Sequence, residues 1–230
     1  MIGGTGRPCP PRSRPHMYLS INPRDMTAQV RDYQPGDEAA AYHVCLKTGD
    51  FGGDGEPFFR EDPDALGRIY VGPYLKFCPE LSLVVEDQAG VCGYALATLD
   101  SHEFFHRYEK EWRPALAAEF PDPSGDPSTW DRIQKTHHLY HEPDYFCPEP
   151  YDEYPSHLHI DFLQRVRGQG LGRKMIEELV RRLTEMGSPG VHLGMSDRND
   201  AAYGFYRRLG FEELIRHEGA IYMGMQLNGS

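Results

Sequence analysis

Between His157 and Lys174 the chain leaves little freedom in what can be built around it. His157, His159 and Asp161 alternate with Leu158, Ile160 and Phe162, the period-two pattern of a strand spanning residues 158–163. The strand leads straight into Arg167-Gly168-Gln169-Gly170-Leu171-Gly172. Leu171, Met175, Leu179, Leu183 and Met186 then recur at spacings of three and four, one apolar stripe of a helix over residues 170–186. Gly187 stands where a C-terminal cap belongs, with Pro189 just beyond. Without Cβ atoms, the glycines let the backbone approach an anion closely, with successive N–H groups pointing inward as a nest. The helix N-terminus adds partial positive charge, and Arg167 and Arg173 add formal charge at its edges. Together these features suit a pyrophosphate.

Other uses of such a loop fit less well. A dinucleotide fold wants G-x-G-x-x-G, whereas the spacing here is G-x-G-x-G. A P-loop continues with Gly-Lys-Ser/Thr, whereas Gly170 is followed by Leu171. A tight turn alone would explain the glycines but not the flanking arginines.

The surrounding pattern reads as one α/β domain over residues 27–230. Residues 28–33 form a short strand, and Asp37 N-caps a helix running to about Leu46. Residues 48–64 read as a loop. Residues 81–86 and 91–99 form a hairpin around Asp87-Gln88-Ala89-Gly90. Residues 101–120 read as a helix interrupted near Pro114. Residues 121–155, dense in Pro, Asp, His and Tyr, read as a long functional loop or lid whose His137, His138, His141, Tyr140, Tyr145, Tyr151 and Tyr154 would help shape an acceptor pocket, so that 101–156 forms an insertion near an acceptor site. A strand at 191–195, a helix at 201–209 capped by Gly210, and a strand at 221–227 complete the chain.

Composition narrows the function. Lys plus Arg number 24 against 35 Asp plus Glu, a formal charge of −11, which argues against a nucleic-acid binder. No apolar run is long enough to span a membrane. The five cysteines, Cys9, Cys45, Cys78, Cys92 and Cys147, are odd in number and include no C-x-x-C pair, so a reducing cytoplasm is the expected compartment. Residues 1–26, rich in Gly, Pro and Arg, read as a leader or flexible arm without the apolar core of a signal peptide.

The Arg167-x-x-Gly170-x-Gly172 pattern, following a strand and opening a helix, resembles the acetyl-CoA signature of the GNAT N-acetyltransferases. Asn199, Ala202, Phe205, Tyr206, Leu209, Gly210 and Phe211 resemble the second conserved segment of that superfamily, in the same order. Residues 154–161 and 71–74 are similar to a narrower group, the acetyltransferase-like C-terminal domain of O-GlcNAcases and its stand-alone bacterial relatives. The resemblance implies a mixed, largely antiparallel sheet of about seven strands flanked by helices, with a V-shaped opening between residues 158–163 and 191–195. It implies acetyl-CoA as co-substrate and no metal. Its pyrophosphate would lie on Arg167, Gly168, Gln169, Gly170, Leu171, Gly172 and Arg173, and its pantetheine arm along backbone groups of Phe162 and Leu163. Asn199 matches the position that bonds that arm, and Tyr206 the usual general acid.

The general base is left open by the resemblance. Asp161, His159 and His157, in that order, are the candidates, since all three share one face of their strand. The expected acceptor is a small-molecule amine, approached through the lid and greeted by Asp50, Asp54 and Glu56. A homodimer is compatible with such a domain. Two other functions compete. One is a non-catalytic domain that binds acetyl-CoA or a protein partner. The other is a zinc peptidase, because His102-Glu103-Phe104-Phe105-His106 matches H-E-x-x-H, with Glu119 as a third ligand.

Overall fold

The computed structural model describes residues 28–144 and 152–227. The proposed arm at 1–26, Cys9, Cys147, Tyr145 and Tyr151 lie outside these residues. Seven strands form one sheet in the order β1-β2-β3-β4-β5-β7-β6. They are β1 (Gln29–Asp32), β2 (Ser82–Asp87), β3 (Gly90–Thr98), β4 (Ser156–Phe162), β5 (Gly190–Ser196), β6 (Glu212–His217) and β7 (Ala220–Gln226). All neighbours are antiparallel except β4 and β5. That parallel pair is joined only at Ser156↔Val191 and His157↔His192. Beyond those two positions the strands part, opening the sheet where residues 158–163 and 191–195 were expected to diverge.

The closed end of this pair is clamped. Ser156 Oγ lies 2.7 Å from both the Leu99 carbonyl and Ser188 Oγ, and Ser188 Oγ donates to the Gly190 carbonyl at 2.9 Å. A Cβ at Gly190 would lie 2.1 Å from the Glu153 carbonyl, so only glycine lets β5 start this close to the chain feeding β4.

Helices cover both faces. α1 (Glu38–Thr48) packs on the face carrying Tyr94, His159 and Asp161. α7 (Leu171–Glu185) packs opposite, burying Leu171, Met175, Ile176, Leu179 and Leu183 against β1, β3 and β4. The buried stripe is the one the spacing predicts, except that Met186 is exposed past the helix end. Gly187 takes φ +88°, its N–H bonding the Thr184 carbonyl while Ser188 N–H reaches Leu183, a Schellman motif that stops the helix.

Four elements escape the periodicity. α2 (Ala65–Tyr70) and α3 (Gly72–Phe77) are six residues each and hold Gly67, Gly72 and Pro73. Their glycines serve packing: a Cβ on Gly67 would meet the Tyr42 ring at 2.4 Å, and one on Gly72 would meet Trp112 at 2.5 Å. β6 is an edge strand whose charged residues hide its pattern while protecting the edge. Within the expected lid, Arg132–His138 forms helix α6, N-capped by Asp131. The expected 101–120 helix divides into α4 (Ser101–Arg107) and α5 (Arg113–Glu119) around a π-helical turn at Tyr108–Trp112, just ahead of Pro114.

Asp37 does not cap α1 through its side chain. It accepts the Gln34 N–H at 2.8 Å and takes Arg31 in a two-point ion pair, which holds its carboxyl below the usual range. Its place three residues after Gln34, in a capping box for the preceding 3-10 turn, explains the exchange of roles.

His157 and His192 are buried in the core. His157 bonds Ser101 Oγ at 2.7 Å and Tyr74 OH at 2.8 Å, and burial pushes both imidazoles below their ordinary pKa. The unfolded chain therefore binds more protons than the folded one below about pH 6.5, and stability falls as pH drops through that region. The expected slope is up to about 1.4 kcal/mol per pH unit for each histidine, and His157→Gln should flatten it. Urea titrations between pH 5 and 8 measure this; an identical slope in the variant would contradict it.

Candidate functional site

The glycine loop sits at the mouth of the opening. Gly168 and Gly170 take φ +77° and +75°, and a Cβ on either would meet no atom within 4 Å. These positions combine a left-handed backbone with open space in front of it, the cradle an anion requires. Gly172 has a different role, since a Cβ there would lie 3.1 Å from Phe205 and 3.3 Å from Phe162. It lets α7 pass close to α8 (Asp200–Leu209). The intrahelical ladder starts with Lys174 N–H on the Gly170 carbonyl, so the N–H groups of Gly170, Leu171, Gly172 and Arg173 precede it and face this loop. Arg165 fixes the approach to it, gripping the buried Asp87 of the β2–β3 turn at 2.7 and 3.2 Å. Asp87, read from sequence only as a turn residue, is thereby the anchor.

A cavity of about 500 Å³ runs from this loop into the opening, lined by Phe162, Arg167, Arg173, Asn199, Tyr206 and Arg208 among others. Arg173 also pairs with Glu177, and the Gln169 amide turns back onto the Arg165 carbonyl. Arg167 donates to the Phe162 carbonyl at 3.1 Å and the Gly52 carbonyl at 2.7 Å, tying the glycine loop to the loop after α1. The Leu163 N–H is held by the Cys92 carbonyl, and alternation along the β3–β4 ladder then turns the backbone groups of Ile160 and Phe162 toward the open side. Asn199 Oδ1 accepts the Ala202 N–H, N-capping α8. Its amide nitrogen faces the Gly52 loop.

A second cavity of about 330 Å³ continues inward and holds His159, Asp161, Tyr70 and Tyr206. Tyr94, on β3 directly across from Asp161, puts its hydroxyl 2.7 Å from Asp161 Oδ2 and 2.9 Å from His159 Nε2. His159 and Asp161 themselves are 3.2 Å apart. Tyr94 has one hydroxyl proton. Given to Asp161, it leaves the phenol oxygen to accept from His159 Nε2, so the free lone pair of a neutral His159 is on Nδ1. Sequence reasoning missed Tyr94, because it reads as one more aromatic in a buried strand. His157, although on the same face, lines none of these cavities and has both ring nitrogens bonded.

Tyr206 is 8% exposed, and burial together with the nearby Asp161 carboxylate pushes its phenol above the ordinary range. Its place is set by the end of α8. Gly210, φ +97°, closes a Schellman motif in which Phe211 N–H bonds the Tyr206 carbonyl and the two rings pack 5.7 Å apart. The Tyr-x-x-Leu-Gly-Phe spacing is thus a device for holding this phenol.

Other expected site residues have structural partners instead. Asp50 pairs with Arg132, while Asp54 and Glu56 both pair with Lys47. His137 bonds Asp62, His138 bonds Asp122 and His141 bonds the Phe120 carbonyl, while Tyr140 is fully buried on the Ala65 carbonyl. These bonds fasten α6 and the turn after it to residues 62–65 at the start of α2 and to residues 120–122 after α5, which is why the segment is packed rather than loose. His102, Glu103 and His106 lie on the exposed face of α4, while Phe104 turns inward. Among the described residues no three His, Cys, Asp or Glu side chains converge, and Glu119 is not brought to the pair.

A seven-stranded sheet opened between its fourth and fifth strands, with a glycine loop feeding a helix at the opening, defines an acetyltransferase-type α/β fold. A sequence profile of the acetyltransferase (GNAT) domain matches residues 134–213. Mouse protein O-GlcNAcase is 30% identical over 201 residues, 86% of this chain and 22% of that protein. The chain thus spans about a fifth of the length of this relative. The solved structure of SsHAT superposes with a TM-score of 0.81 at 34% identity, covering 88% of this chain and 99% of that one. PH1933 from Pyrococcus horikoshii OT3 shares the fold, with a TM-score of 0.57 at 12% identity over 87% of this chain and 99% of its own. The chain belongs to the GNAT acetyltransferase superfamily.

Asn199 caps α8 through its side-chain oxygen. Asn199→Ala should lower unfolding stability by about 1 kcal/mol through loss of the cap, whereas Asn199→Asp, an equally good cap, should leave it nearly unchanged. Thermal unfolding of the two variants checks this; equal losses would contradict the capping role.

Proposed function

We propose that this protein is an acetyl-CoA-dependent N-acetyltransferase that acts on a small-molecule amine by direct attack in a ternary complex. The observation that carries this reading is the continuity of the cleft. The two cavities share Gly52, Ile160, Asp161, Asn199, Ala202 and Tyr206, so an anion cradle at one end leads to titratable groups at the middle.

The residues present fit acetyl-CoA. The pyrophosphate would meet the N–H groups of Gly170, Leu171, Gly172 and Arg173, with Arg167, Arg173 and Arg208 supplying formal charge. The pantetheine arm would extend β4 as a pseudo-strand along the open-side groups of Ile160 and Phe162, as the ladder alternation directs. Acetyl-CoA supplies an activated thioester, so that a C–N bond forms as the C–S bond breaks and the electron pair leaves on sulfur. His159 Nδ1, or Asp161 through water, takes the proton lost by the amine. A backbone N–H on the open edge of β4 stabilises the carbonyl oxygen as negative charge develops. Tyr206 donates toward the departing sulfur. Because its phenol is held above the ordinary range, and a simple thiol has a pKa of about 8.5, its main contribution is a hydrogen bond that shifts toward transfer as charge builds on sulfur.

Calorimetric titration with acetyl-CoA, followed by an amine screen monitoring thiol release, tests the reading. Saturable binding with turnover supports it; binding without turnover of any amine would favour a binding module. Gly170→Asp should abolish binding, by placing a negative side chain in the anion cradle at a left-handed position; retained affinity would remove the loop from the cofactor site. Tyr206→Phe should lower kcat by about 10²-fold with little change in acetyl-CoA affinity, whereas full turnover would remove Tyr206 as the acid.

A further inference from the structure

Beyond Tyr70 the cleft continues into a third cavity of about 470 Å³, within the size range of small-molecule sites. Tyr70, Gly194, Met195 and Ser196 line both this cavity and the central one, and the Tyr70 ring stands 6.0 Å from the His159 ring. The two cavities therefore adjoin at Tyr70 and β5, which puts the chamber next to the groups that would take the amine proton and on the side away from the glycine loop.

The chamber has a distinctive chemistry. Six aromatic rings line it, those of Tyr70, Tyr74, Phe104, Phe105, Tyr108 and Tyr222. Tyr74 and Phe104 lie 4.5 Å apart between centroids, and Phe104 and Phe105 lie 5.5 Å apart. Among the described residues Asp144 is the one carboxylate lining it, and no Lys, Arg or His does. Gly194 keeps the junction low, since a Cβ there would lie 3.1 Å from the Tyr222 ring.

We propose that the acceptor is a primary amine carried on an aromatic body and lacking acidic groups, an arylalkylamine, with its ring in this chamber and its nitrogen at His159 and Asp161. The proposal rests on the acetyl-transfer reading above and narrows it. Aromatic walls favour a flat apolar ring by offset and edge contacts, and they favour a cation over an anion. Asp161 at one end and Asp144 at the other, with no Lys or Arg among the described residues that line the two cavities, disfavour amino acids and other carboxylate-bearing amines. A hexosamine would set several hydroxyls against a wall made largely of ring faces, where the Tyr74 hydroxyl is already bonded to His157. An aliphatic amine would fit but forgo the ring contacts.

The test uses the whole protein and four probes: 2-phenylethylamine, butylamine, phenylalanine and glucosamine. Binding is followed by calorimetry, and acetylation by thiol release with acetyl-CoA present. 2-Phenylethylamine should bind at least tenfold more tightly than each of the other three and be acetylated with the highest kcat/KM. Phe105→Ala should erase its advantage over butylamine. Gly194→Val, at an exposed strand position, should do the same by narrowing the junction, so a folding defect in the first variant does not decide the matter. Asp144→Asn should reduce the discrimination against phenylalanine. Equal affinity for 2-phenylethylamine and butylamine, or an advantage that survives both Phe105→Ala and Gly194→Val, overturns the proposal. Tight aryl-selective binding without acetylation would uphold the chamber and sink the transferase reading. Acetylation of all four probes with equal kcat/KM would do the reverse.

Discussion

Two residue pairs, Ser156↔Val191 and His157↔His192, are all that join β4 to β5, and the site depends on the chain stopping there. A sheet that stayed paired would satisfy the backbone of β4 on both edges and leave no groove. The clamp at the closed end, built from Ser156, Ser188 and a glycine at 190 that admits no side chain, fixes where parting begins. From that point Ile160 and Phe162 present backbone groups to a space that nothing in β5 fills. Tyr206 reaches the space from α8, and His159 and Asp161 flank it from β4.

The two ends of this space differ in charge for simple reasons. At the glycine loop, unpaired helix N–H groups and three guanidiniums collect positive potential on a chain whose formal charge is −11. At the other end, rings and carboxylates collect. Arg167 links the regimes. In this conformation its guanidinium bonds the Phe162 carbonyl, a group on the open edge, and also holds the Gly52 loop. A ligand strand pairing along β4 would compete with Arg167 for that carbonyl, and an anion arriving with it would offer the guanidinium another partner. Arg167 thereby ties the Gly52 loop to the open edge of β4.

Much of the fold could be read from short-range patterns because those elements carry their own instructions. α7 shows a clean apolar stripe and a glycine stop, and β2–β3 a clear hairpin. The second motif spells out a cap, a helix and a Schellman turn. Elements without such marks stayed hidden: α2 and α3 are too short for a period, and β6 is too charged. The resemblance of residues 71–74 and 154–161 to one narrower group gains a physical basis in the bond between Tyr74 and His157, members of those two segments. The acidic and histidine-rich loops misled because polar residues near a cleft look available in sequence, whereas here they are consumed by one another: Asp50 by Arg132, Asp62 by His137 and Arg68.

Sequence alone determined the glycine loop, the helix it opens, the position of Tyr206 and the shared face of His159 and Asp161. These follow from dihedral freedom and from periods of two and 3.6 residues, which act within a few positions. Tertiary structure decided that Tyr94 joins His159 and Asp161, 65 and 67 residues away, and that Asp87 anchors Arg165, 78 residues away. It also decided that His157 is buried beside Tyr74 rather than exposed in the cleft. Such pairings depend on strand register and on which face each helix covers. Those are set by burial summed over the whole core, and no local pattern encodes them.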